Sequence, residues 1–233
     1  MKKSGELRAR MAIFEKLSFR REFRDTLHKA HALVNASRVL QELGDRSGYL
    51  SMKKKASRLR RTLIAEHEVD RVISGLVSGI RPDQQFSMDI QRSEWPENIQ
   101  DRMPDISSIM IRKWNSPISS SGPIRKIYTD GSFHSDGGIG IVGVDAANHP
   151  CTLISGFIQN CPGSYEAEYA GVLTGMKLIG HAGVRKLVHD VSADIARDAV
   201  KSAGYDVECL KVSGHSGYWY NEIADILASA SRK

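Results

Sequence analysis

Cysteine is scarce in this chain of 233 residues, with only Cys151, Cys161 and Cys209. The number is odd and no two share the close spacing of a metal knuckle. Neither a disulfide framework nor a zinc site is therefore expected, and an intracellular, cytoplasmic setting is. Long apolar runs are missing too. No stretch approaches the roughly 18 uncharged apolar residues that a membrane-spanning helix requires, so no membrane partner is expected. The opening MKKSGELRARMAIFEKLSF is charged early but has no apolar block, which argues against a secretory signal. Glu6, Glu15 and Glu22 run against an organelle transit peptide. Acids are few in the first quarter of the chain: residues 1–61 hold 17 Lys and Arg against 6 Asp and Glu, a balance of +11. Residues 123–233 hold 10 against 12, a balance of −2. A basic segment joined to a slightly acidic one reads as a nucleic-acid grip beside a region that uses its carboxylates.

Hydrophobic patterning divides the chain in the same way. Residues 6–43 carry Leu7, Met11, Phe14, Phe19, Phe23, Leu27, Ala30 and Val34 at helical spacing, with Ser18 as a break or new cap. GDRSG at 44–48 is a turn signal. A second helical run through Leu59, Leu63, Val69, Ile73 and Leu76 ends near Gly79. Residues 81–115 show only weak periodicity and yield no assignment. NSPISSSGP at 115–123 has the composition of a linker. Three regions are thus expected: a basic, mainly helical one over 1–114, a linker over 115–123 and an α/β domain over 124–233.

After residue 123 the apolar period falls from 3.6 to 2. RKIYTDGSF reads as a strand, and GIGIVGVD and CTLISGFI as a hairpin around AANHP. SYEAEYAGVLTGMKLIGHAG reads as a helix, with Ser164 as its N-cap and Gly183 near its end. VRKLVHD is a strand, SADIARDAVKSAG a helix and VECLKVSG a strand, and a closing helix starts near Tyr218. The order strand-strand-strand-helix-strand-helix-strand-helix predicts a mixed sheet with helices on its faces.

Four acids hold positions that an ordinary surface would not require. Asp130 ends the first of these strands, Glu168 lies early in a helix, Asp190 ends the fourth strand and Asp225 lies in the last helix. Each alone has a plain reading as a turn residue, a dipole-favouring acid or a cap neighbour. Together they are harder to explain that way. Glu168 shares a helix face with Gly171, Val172, Gly175 and Ile179, a surface suited to lying on a sheet. Asp225 is followed by Ile226 and Ala228. Carboxylates aimed inward need counter-charge. An all-oxygen set matches Mg²⁺ or Mn²⁺, and two such ions about 4 Å apart activate water against a phosphodiester. Glu166 is the rival to Glu168 in this set.

YTDGS, YEAEYAGVLTGMKL, LVHD and GHSGYWYNEIADILA together resemble the type I ribonuclease H family. They are also similar to the ribonuclease H-like domains associated with reverse transcriptases. The likeness covers about residues 124–231 and includes the ten-residue step from His215 to Asp225. It implies a ribonuclease H-like fold with a five-stranded mixed sheet in the order 3-2-1-4-5, with Asp130 and Asp190 on neighbouring strands. It also implies metal-dependent endonucleolytic cleavage of the RNA strand of an RNA/DNA hybrid. Asp130 would bridge two ions, Glu168 and Asp190 would hold one, and Asp225 would help hold the other. His215, on a loop beside Gly214 and near Gly217, would shuttle a proton or assist product release.

Three departures bear on substrate grip. The loop GSFHSDGGIG lacks the family's Asn-Pro-Gly segment, and Ser164–Tyr165 stands where two asparagines are usual. Ser132 and Ser164 are the polar residues expected to touch nucleic acid at these places. The segment between Asp190 and His215 has room for one short helix and no basic protrusion. Lys53, Lys54, Lys55, Arg58, Arg60 and Arg61, in KKKASRLRR, are expected to supply phosphate contacts instead. A rival use of the amino-terminal helices is a protein partner or another copy of the chain. Rival functions for the whole chain are a non-catalytic scaffold of the same fold and a DNA nuclease of the same superfold.

Overall fold

The computed structural model describes residues 2–18, 24–66, 68–118, 122–180, 183–189, 193–212 and 218–232. Asp190 and His215 lie outside them, as do Phe19 and Phe23. Helix α1 (Lys2–Leu17) ends at the expected break. There the Ser18 hydroxyl donates to the Phe14 carbonyl at 2.8 Å, a bond that competes with continuing the helix. Helix α2 (Arg24–Glu42) is followed by Gly44 at φ 76°, a left-handed turn suited to glycine, and by α3 (Arg46–Glu66). The second apolar run is two helices rather than one. Glu68, at φ 49°, is the residue that precedes α4 (Val69–Gly79).

Residues 81–115 are a correction to the sequence reading, because they add strands to a region expected to be mainly helical. They form β1 (Gln84–Gln91), a 3-10 turn (Arg92–Glu94), the short α5 (Glu97–Gln100) and β2 (Ile106–Asn115). Beyond residue 123 the elements follow the predicted order: β3 (Lys126–Phe133), β4 (Gly137–Val144), β5 (Pro150–Ile158), α6 (Ser164–Ile179), β6 (Lys186–His189), α7 (Ala193–Ser202), β7 (Glu208–Lys211) and α8 (Trp219–Ser231). Ser164 is the first helical residue of α6 rather than its cap. Gly163, in extended conformation, precedes it, and the helix closes on Gly180, ahead of Gly183.

The sheet is mixed and has seven strands, not five, in the order β1-β2-β5-β4-β3-β6-β7. The expected arrangement describes only the part β5-β4-β3-β6-β7. The additional hairpin pairs β2 antiparallel with β5, from Ile109 opposite Ile158 to Asn115 opposite Thr152. The linker-like stretch therefore runs between two strands of one sheet.

Alternation along the strands builds a core on each face. One side packs Ile109, Ile111, Ile127, Ile139 and Ile141 against α6 through Ala167, Ala170, Leu173 and Met176. The other packs Trp114, Val142, Val144 and Leu153 against α8, α4 and the end of α1. No helix among the described residues is long and apolar enough to cross a membrane.

Candidate active site

Strand β3 carries the central acid. Tyr128 meets the Tyr220 ring of α8 at 5.4 Å between centroids. Asp130, two residues on, shares that face of the sheet. Thr129 and Gly131 take the opposite face, toward α6. Asp130 is only 7% exposed, and its Oδ1 accepts the Gly131 backbone N–H at 2.8 Å.

Two glycines bring a helix onto each side of this strand. A Cβ built on Gly131 would stand 2.2 Å from the Glu168 nitrogen and 2.5 Å from the Glu168 Cα. The backbone of Glu168 therefore rests directly on the residue after Asp130, a distance only glycine allows. Gly171, one turn later on α6, lies over the Asp130 carbonyl, 3.1 Å from a Cβ built there. On the other face, Gly140 of β4 is the register partner of Asp130. A Cβ on Gly140 would stand 1.9 Å from the Ala224 carbonyl oxygen and 2.7 Å from the Ala228 nitrogen. Asp225 follows Ala224, so its backbone passes close to the strand position opposite Asp130.

The surroundings are desolvated. Burial pushes the Tyr128 phenol up to about 12, with Tyr218 adding to the shift. Two buried polar atoms on this side of the sheet have no hydrogen-bond partner among the described residues: the Ser132 hydroxyl and the Asn221 side-chain carbonyl oxygen. Asn221 lies one helical turn before Asp225. The donors of Asp130, Glu168 and Asp225 are all carboxylate oxygens, which suits a hard divalent cation. Among the described residues, no group of three or more His, Cys, Asp or Glu side chains gathers as a metal cage. Strands β3 and β6 run parallel as neighbours, with Tyr128 opposite Val188. The expected fourth acid, Asp190, follows β6 and lies outside the described residues, as does His215.

Glu166 has a different environment from Glu168. It is 1% exposed in the first turn of α6, and its Oε1 lies 2.6 Å from Nη2 of Arg102. Arg102 belongs to the connection between β1 and β2, which also ties down the rest of α6. The Tyr169 hydroxyl donates to the Glu94 carbonyl at 2.6 Å, Lys177 pairs with the Glu94 carboxylate, and Trp95 lies 5.3 Å from the Tyr169 ring. Sequence reasoning found none of these partners, because their segment shows only weak periodicity. The one available signal was an apolar helix start carrying two acids, Glu166 and Glu168, where only one is needed.

The expected nucleic-acid contacts are dispersed. Ser132 lies two residues after Asp130, and Ser164 is exposed at the start of α6. Lys53, Lys54, Lys55, Arg58 and Arg61 are exposed on α3, away from the carboxylates in sequence and on a separate helix; the side chain of Arg60 lies outside the described residues.

Residues 128–208 match a family described as reverse transcriptase-like. The match runs from β3 to the start of β7, and supports a ribonuclease H-like domain in this part of the chain. No curated protein and no solved structure matches the chain.

Proposed function

We propose that the chain is a ribonuclease H, hydrolysing the RNA strand of RNA/DNA hybrids at the carboxylate end of β3. The observation that carries this reading is the pair of glycine contacts. Gly131 and Gly140 each remove a side chain where one would hold off a helix, and each of those helices carries an acid in the segment so admitted, Glu168 itself at Gly131 and Asp225 next to Ala224 at Gly140. A packing requirement alone explains the glycines, but not an acid at both places they admit.

In this reading Asp130, Glu168, Asp190 and Asp225 are the ligands of Mg²⁺ or Mn²⁺. Two such ions would supply an activated water and offset charge on the leaving oxygen. Asp130, whose Oδ1 accepts the Gly131 N–H, would be the ligand common to both ions. Glu168 is preferred over Glu166 because its own backbone rests on Gly131, the residue after Asp130. Ser132 and Asn221 present polar atoms on the same face that have no partner among the described residues, suited to orienting water or a substrate hydroxyl. His215, next to Gly214 and two residues before Gly217, takes or delivers a proton.

The test uses purified full-length protein with end-labelled hybrid, double-stranded RNA and double-stranded DNA, each with Mg²⁺, Mn²⁺ or chelator. Cleavage confined to the RNA strand of the hybrid, lost in chelator and in Asp130→Asn, is the expected result. Cleavage of duplex DNA would transfer the chain to the DNA nucleases of this superfold. Binding without cleavage of any substrate would make it a non-catalytic member. Asp130→Asn should remain folded, because asparagine keeps the shape of the side chain and an Oδ1 acceptor for the Gly131 N–H, and removes a charge from a buried position.

A further inference from the structure

Helices α2 and α3 form a hairpin that stands largely on its own contacts. Ala30 and Ser37 of α2 and Ala56 of α3 are buried between them, small residues that let the two backbones approach. Among the described residues, the hairpin is rooted at the end of α3. Leu63 and Ile64, near the end of α3, join an apolar cluster with Phe14, Leu17 and Trp219. Trp219 is the first residue of α8, and its indole N–H donates to the Leu17 carbonyl at 2.8 Å in a buried bond. Asp225 is six residues farther along α8, about 9 Å at 1.5 Å per residue. The root therefore lies at the end of α8 that precedes the candidate carboxylate. From there α3 extends back through its 21 residues, about 30 Å, to the turn at Gly44.

The outer surface of α3 is cationic and unbalanced. Lys54, Arg58 and Arg61 follow one another at four and three residues, so they form one stripe on the side away from buried Ala56. Lys53 and Lys55 flank the stripe. The only acid in α3 is Glu66, at its end. Among the described residues no carboxylate pairs with Lys54, Lys55, Arg58 or Arg61. A solvated helix surface ordinarily interleaves both signs and gains from such pairs. Helix α7, the crossover between the neighbouring strands β6 and β7, carries acids and bases in equal number in its sequence, ADIARDAVKS.

We propose that the α2–α3 hairpin is a phosphate-binding arm for duplex nucleic acid, with Lys54, Arg58 and Arg61 as its contact stripe. It holds the duplex that the carboxylates cut, and so rests in part on the function proposed above. The contacts are to backbone phosphate and carry no sequence preference, so hybrid and DNA duplex are gripped alike. Each phosphate neutralised adds about 0.9 to the slope of log affinity against log salt. The three side chains together account for a slope change of about 2.7.

The experiment measures binding of fluorescent hybrid and DNA duplexes to the full chain across a KCl series in chelator, where no cleavage occurs. The variant is Lys54→Gln/Arg58→Gln/Arg61→Gln, which keeps good helix formers at exposed positions; far-ultraviolet circular dichroism verifies that it folds. A control removes two exposed cations elsewhere, Arg185→Gln/Lys201→Gln. The expected result is weaker binding of both duplexes by the triple variant, with the slope flattened by two to three, and little change in the control. An unchanged slope in the folded triple variant, an equal loss in the control, or no duplex binding by the parent chain would each overturn the proposal. The two readings fail separately. A chain that shows the predicted slopes and cleaves nothing removes the ribonuclease function and keeps the arm. A chain that cleaves hybrid with unchanged slopes does the reverse.

Discussion

Replacing Gly140 by alanine adds one methyl group on the face of β4 that meets α8. That carbon would stand 1.9 Å from the Ala224 carbonyl oxygen and 2.7 Å from the Ala228 nitrogen. Carbon and oxygen do not settle closer than about 3 Å, so α8 and β4 must separate by about 1 Å or more. Backbone, not a flexible side chain, has to move. Overpacking of this kind costs about 1–3 kcal/mol. For a chain of this length that lowers Tm by roughly 2–4 °C per kcal/mol. The larger consequence is functional. The separation falls between Asp130, opposite Gly140, and Asp225, next to Ala224. A 1 Å misplacement of a catalytic group costs about a hundredfold in rate. We therefore expect Gly140→Ala to lose on the order of a hundredfold in kcat/KM for hybrid cleavage, measured well below its own Tm so that unfolding does not contribute. Gly75→Ala is the matched control: Gly75 is exposed in α4, nothing lies within 4 Å of a Cβ there, and the change favours helix by about 1 kcal/mol. A folded Gly140→Ala protein with parental Tm and parental cleavage would refute the view that this glycine sets the distance between the two acids.

Three further outcomes are expected. His215→Ala should slow turnover by roughly ten- to a thousandfold, in keeping with a proton-transfer group, while Mn²⁺ binding followed calorimetrically stays unchanged; much weaker metal binding would make the histidine a ligand instead. Arg102→Ala leaves Glu166 buried without its cation and should destabilise by about 1–3 kcal/mol, the lower part of that range being expected because Arg102 itself is 58% exposed. Adding Glu166→Gln should recover part of the loss in thermal melts, and no recovery would mean that the pair is incidental. The Tyr128 phenol resists ionisation in the folded chain, up to about 12, whereas an unfolded tyrosine ionises near 10. The unfolded state therefore gives up its proton first. The contribution of this group is intact below pH about 10 and falls away between about 10 and 12. Denaturant melts across that range should show a shallower alkaline decline in Tyr128→Phe, and an identical decline would assign the effect to other groups.

The part of the fold most legible in the sequence is the part where burial is strict. Strands β4 and β5 lie inside the sheet and are buried along almost their whole length, so they must be apolar, and helices α6 and α8 must match them with small or apolar faces. Strand β1, QQFSMDIQ, was illegible because a sheet edge needs neither alternation nor an apolar face. The division into α3 and α4 was hidden because α4 opens on a left-handed Glu68, where the usual signal is glycine or proline. Among the candidate residues, the acids were legible by order and the glycines only as helix-face neighbours. That Gly131 and Gly140 act as gaps for Glu168 and α8 depends on a close approach that no spacing rule states. The Arg102–Glu166 pair was out of reach for a further reason: it joins an unpatterned loop to a helix start, and only the tertiary structure brings them together.

The hairpin of β1 and β2 also determines how this chain tolerates being cut. Strand β5, PCTLISGFI, is nine residues long, apolar and buried along almost its whole length. It is protected on one side by β4 and on the other by β2. A fragment starting after residue 115 would retain every candidate acid and lose β2. It would leave a bare, flat row of backbone donors and acceptors beside Leu153, Ile154 and Ile158, the kind of edge that recruits other strands. Such a fragment is expected to associate with itself when expressed, and its insolubility would be misread as a requirement of the chemistry for the amino-terminal region. Cutting instead between α4 and β1, near residue 82, keeps both strands of the hairpin and leaves the sheet ending on polar β1, as it does in the whole chain.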